Sequence, residues 1–138
     1  MARVEVYKRQ YIEAMKRAFI ELQPELVKRF TGEVVAEKWT WPRPPSPRDI
    51  VDTGRLRDSL NNPSQTGPRT PPVEEIGGRL VAMHIWHVPY AVFVHEGYTL
   101  RNGFVGPARP WTETAIKSFD PRAFMREVVH EQLKRMGL

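Results

Sequence analysis

The chain has no cysteine, which removes disulfides, thiolate metal ligation and cysteine nucleophiles from consideration. It also lacks long hydrophobic runs. Nothing approaches the roughly 18 consecutive apolar residues of a membrane span, and the charged opening MARVEVYKRQYIEAMKR has no apolar core of signal-peptide length. A soluble protein with no membrane partner is expected. Catalytic signatures are missing as well: there is no phosphate-cradling P-loop, dinucleotide fingerprint or G-x-S-x-G elbow. His95-Glu96 and His130-Glu131 lack the second histidine that a zinc-protease helix places four residues on, since Thr99 and Lys134 stand there. His84 and His87 lie three apart on an expected strand and so face opposite ways. No catalytic residue, metal or cofactor is expected. Asp49, Asp52, Asp58 and Glu96 are the acids that a divalent-ion nuclease site would use, but they read more simply as caps and surface residues.

Proline is plentiful. Eight of the 13 prolines fall between Trp41 and Val73, so that region cannot be continuous helix or central strand. Charge leans one way, with a formal net charge of +5. A basic surface attracts nucleic acid or acidic partners, yet no run of five basic residues marks a dedicated DNA-binding arm. The 138 residues are read as one domain.

Residues 3–30 have helical spacing. Tyr7, Tyr11, Met15, Ala18, Phe19, Leu22 and Leu26 form an apolar stripe opposite Lys8, Arg9, Glu13, Lys16, Arg17 and Glu21. Pro24 is expected to kink this helix or to open a second short one that ends at Thr31-Gly32. Glu33 to Trp41 reads as a short strand or irregular extension. In IVDTGRLRDSL, Asp52 or Thr53 is a plausible N-cap, and Leu56 with Leu60 forms an apolar pair. The stretch 61–72 is polar, rich in Gly and Pro, and read as a flexible loop. A hairpin is expected from Val73 through the Gly77-Gly78 turn into RLVAMHIWHV.

The densest cluster of signals is VPYAVFVHEGYTLRNGFVGPARPW, residues 88–111. Tyr90, Phe93 and Val94 suit a short helix closed by Gly97, although eight residues of periodicity leave a strand equally open. Asn102-Gly103 suggests a two-residue type I′ turn, with Arg101 at the same displayed tip. Trp111 to Phe119 reads as helix, and Asp120-Pro121 opens a last helix ending in Lys134, Arg135 and Gly137. Glu96 is expected to need a cationic partner, for which Arg109, of the same or a neighbouring subunit, is the nearest candidate.

DTGRLRDSL, then VPYAVFVHEG, then PARPWTETAI resembles, in that order, the neck and tail-completion proteins that join head to tail in long-tailed bacteriophages. The resemblance runs from about Val51 to Ile116, through Thr53, Gly54, Arg55, Leu56, Tyr90, Ala91, His95, Glu96, Gly97, Ala108, Arg109, Pro110 and Trp111. It departs at Tyr98, which intervenes before Thr99. It implies an α+β fold, with a small antiparallel sheet packed on a long N-terminal helix and C-terminal helices. It also implies a non-enzymatic virion subunit, made in the host cytoplasm, that forms a ring of roughly six or twelve copies at the head–tail junction. Its partners would be connector, neck and tail proteins, with DNA passing non-specifically through the lumen. A basic nucleic-acid-binding accessory protein is the main alternative, ahead of a metal-dependent nuclease.

Overall fold

The computed structural model describes residues 2–41, 46–50 and 54–138, and side chains from residue 7 onward. The fold is mixed helix and sheet. Helix α1, Ala2–Val35, is its spine. One row of α1 at four-residue spacing, Ala14, Ala18, Leu22, Leu26, Phe30 and Val34, is buried along its length. A step of four residues overshoots a 3.6-residue turn by roughly 40°, so the row winds around the helix and its partners wrap with it. Ala14 and Ala18 are small, and they pack with Val128 and Val129 of α5, Pro121–Arg135. Leu22, Leu26 and Phe30 meet Leu60 and Ala115 of α4, Trp111–Phe119. Val34 meets Ile50, Leu56, Val88 and Trp111.

Several expectations change. Pro24 neither ends the helix nor starts another, because α1 continues through it and through Gly32. The buried residues on either side hold the turn despite the lost N–H, so the expected strand from Glu33 starts as helix instead. Only Trp39 of that stretch adopts a bridge, pairing with Arg48. Tyr7 and Tyr11 are exposed, since at that end only the last residues of the chain, including Leu133 and Leu138, approach them. Glu13 and Arg17 do form their i, i+4 ion pair, at 3.2 Å.

Helix α2 is a single turn, Arg55–Asp58, with Gly54 at its N-cap position; Asp52 and Thr53 lie outside the described residues, as does 42–45 of the proline-rich stretch. Leu56 and Leu60 are both buried but serve different clusters. The 61–72 segment carries its own scaffold. Buried Asn62 donates to Thr66 Oγ1 and Gly67 O and accepts from the Ser64 N–H.

Among the described residues the antiparallel sheet is split into two hairpins. Strands β1, Glu74–Ile76, and β2, Arg79–Val81, pair around Gly77-Gly78. Strands β3, Tyr98–Thr99, and β4, Val105–Gly106, form the other. Beyond β2 the strand pairing ends, and Trp86 makes a further bridge to Leu60. The open choice at 90–97 resolves as helix: α3 spans Ala91–Glu96. Asp120 caps α5, its side chain accepting from the Ala123 N–H. No described helix is long and apolar enough to cross a membrane.

Candidate assembly surface

The 88–111 segment is held by a train of aromatic contacts. Trp86 meets Phe30 edge-on at 5.5 Å and Trp111 at 5.5 Å, and Trp111 in turn meets His95 at 4.7 Å. Edge-to-face geometry places the positive rim of one ring on the negative face of the next. Trp111 is thus a buried core residue, set at the first position of α4 by Pro110 before it. His95 is fixed at both nitrogens, with Nδ1 at 2.6 Å from Glu96 Oε1 and Nε2 at 2.7 Å from Thr112 Oγ1.

Gly97 closes α3 with φ 80°. A Cβ there would sit 2.8 Å from Gly106 O and 3.0 Å from Ala108 N, closer than side chains tolerate. The backbone N–H of Arg109 also reaches back to Val94 O and His95 O, both at 3.1 Å. The root of the β3–β4 hairpin is therefore clamped to the end of α3. Its tip differs from the two-residue turn expected. Leu100 N–H bonds Phe104 O at 2.8 Å and Gly103 N–H bonds Leu100 O at 3.0 Å, so Arg101, Asn102 and Gly103 make a three-residue loop. Only Gly103 has positive φ, at 86°, as in a type I turn followed by a bulge. Asn102 instead uses its side-chain oxygen to accept the Phe104 N–H.

Within the chain, Glu96 and Arg109 do not pair. Glu96 is 66% exposed and bonds its neighbour His95, whereas Arg109 is only 4% exposed. The Arg109 guanidinium stacks on Trp41 at 3.9 Å and donates from Nη2 to Thr40 O at 3.3 Å. Arg48 stacks on the same ring at 3.7 Å; two guanidiniums so close to one centroid must occupy opposite faces. Burial pushes the Arg109 pKa down and the like charge of Arg48 adds to this, while Tyr98 opposes it. Sequence reasoning missed Trp41 as the partner because the two residues are 68 positions apart. The abundance of Arg and Trp near prolines was the sole hint.

Of the remaining motif residues, Leu56 is core and Arg55 bonds Gln65 Oε1 at 3.1 Å. Tyr90 precedes α3 and is partly exposed, and Arg101 is exposed. Leu56 shares its buried cluster with Val88 and Trp111, with Ala91 and Val94 packed against it, so residues of all three motifs meet in the core, while Arg101, Asn102 and Gly103 stand out at the hairpin tip. Among the described residues, no group of three His, Asp or Glu is arranged to hold a metal ion. His84 and His87 face apart: His84 bonds Gln23 Oε1 at 2.9 Å, and His87 lines a groove with Met83 and Ile85.

Comparison with protein-family models, with curated proteins and with solved structures finds no match to the chain.

What the surface offers is apolar. Ile76, Met83 and Ile85 share a groove of about 400 Å³. Ile85 and Val92 share a second of about 410 Å³ with His95 and Glu96. Ile76, Met83, Ile85, Val92, Phe93, Leu100, Phe104 and Val105 are all exposed large hydrophobic residues.

Proposed function

We propose that the chain is a non-enzymatic ring subunit at a phage head–tail junction, joining connector to tail around the DNA channel. The observation that carries this reading is the exposed apolar band from Ile76 through Met83 and Ile85 to Val92, beside which the β3–β4 hairpin separately exposes Leu100, Phe104 and Val105. Isolated exposed hydrophobics are ordinary, but a run of them across adjoining grooves marks a surface that another protein covers. The order of the three sequence motifs supplies the identity of the assembly.

The nucleic-acid alternative would use tryptophan faces as stacking platforms for bases. Trp41 has both faces taken by arginines, and Trp86 and Trp111 are spent on packing with each other. That leaves net charge, which suits a lumen that DNA slides through without being gripped. The purified chain is expected to bind DNA weakly, without sequence preference, and to lose that binding as salt rises. Nanomolar, sequence-specific binding in physiological salt, measured by fluorescence anisotropy, would favour the accessory-protein reading instead.

A further inference from the structure

The extended stretch after β2 uses only one of its edges. Asn61 N–H bonds Ile85 O at 2.6 Å and His87 N–H bonds Ser59 O at 3.2 Å, so the odd-numbered residues turn their peptide groups toward 59–61. Along an extended strand, alternate residues direct these groups to opposite edges. Trp86, between these two, therefore points its groups the other way, and among the described residues no backbone group bonds Ala82, His84 or Trp86. The 410 Å³ groove is lined by His84, Ile85, Trp86 and Val88 of this stretch together with Val92, His95 and Glu96. Val92 is 56% exposed. An open strand edge beside an apolar wall is a template for an added strand.

The same chain displays a segment of matching chemistry. The β3–β4 hairpin exposes Leu100, Phe104 and Val105, the last at 64%, and Arg101 is the one cationic residue between Tyr98 and Gly106. The groove's exposed ionic group is the carboxylate of Glu96. The hairpin cannot fill the groove of its own chain, because Gly97 is packed against Gly106 and Ala108 and the Arg109 N–H ties the root to α3. We propose that the groove receives the β3–β4 hairpin of a second copy. Val105 lies along the open edge, Leu100 and Phe104 cover Val92 and Ile85, and Arg101 sits beside Glu96. The two surfaces differ, so the contact is head-to-tail and closes into a ring when the rotation between copies permits. This inference rests on the ring reading and names the contact that builds the ring.

The absence of native cysteine permits a direct test in the full-length chain. Val92→Cys and Val105→Cys are introduced together and oxidised, beside a control pair that carries Lys28→Cys with Val105→Cys. The proposal expects the first pair to link about tenfold faster than the control, by proximity, giving a ladder of disulfide-joined oligomers. Mixing the two single variants should give linked dimers and stop there. Linkage no faster than the control overturns the proposal. Light scattering on the unsubstituted chain separates the two readings: rings without Val92–Val105 linkage defeat this contact alone, and neither rings nor linkage defeats both.

Discussion

His84 is held as a neutral imidazole by its neighbours. Gln23 gives its Nε2 to Phe19 O and so must accept, through Oε1, the N–H at His84 Nε2. Asn61 Oδ1 accepts the Ile85 N–H, so Asn61 Nδ2 faces His84 Nδ1 as a donor. A second proton on the ring would point at that donor, and burial independently lowers the His84 pKa. In the unfolded chain the ring titrates at about 6.5. Below that pH the unfolded state takes up a proton that the folded state refuses, so stability present above about pH 6.5 falls until the folded pKa is passed. Thermal melts between about pH 7.5 and 5 should show this loss, and His84→Gln should flatten it. An unchanged slope in the variant would remove His84 as the cause. Gly97 offers a second test: Gly97→Ala meets two backbone atoms and an unfavourable φ, and should lower stability by about 1–3 kcal/mol in urea unfolding. At this scale the sequence was least informative. It suggested a carboxylate for Arg109, because opposite charge is the commonest partner, and could not reveal that Trp41 lies closer.

Elements were more legible. The limits of α4, the Asp120-Pro121 start of α5 and the Gly77-Gly78 turn all follow from local chemistry, since caps and turn residues act over three or four positions. Errors arose where long-range packing overrode a local rule. Pro24 signals a break, but Leu22 and Leu26 are buried on either side of it, and that packing outweighs a penalty of about 3 kcal/mol. Removing the penalty should help. Pro24→Ala is expected to raise unfolding free energy by about 1–3 kcal/mol, read from the denaturation midpoint, and a destabilised variant would show that the proline is needed for the path of α1. The Asn-Gly turn illustrates the opposite limit. Two-residue and three-residue loops share that dipeptide, and the pairing of Leu100 with Phe104 decides between them. Loop 61–72 looked structureless because a side chain that organises a loop from within, as Asn62 does, leaves no periodicity.

At the scale of the whole molecule, the fold leaves apolar area unclosed. α1 gathers three clusters along its length, while the hairpin tip and the grooves beside residues 83–92 keep large hydrophobic side chains in water. Exposed apolar surface favours association, and two different complementary patches on one chain produce closed rings when the rotation between copies permits. Electron microscopy of the purified full-length chain over a range of concentrations tests this most directly. The account expects closed rings with roughly six- or twelve-fold symmetry. Particles that remain single subunits at every concentration, or that stop at two-fold dimers, would contradict it.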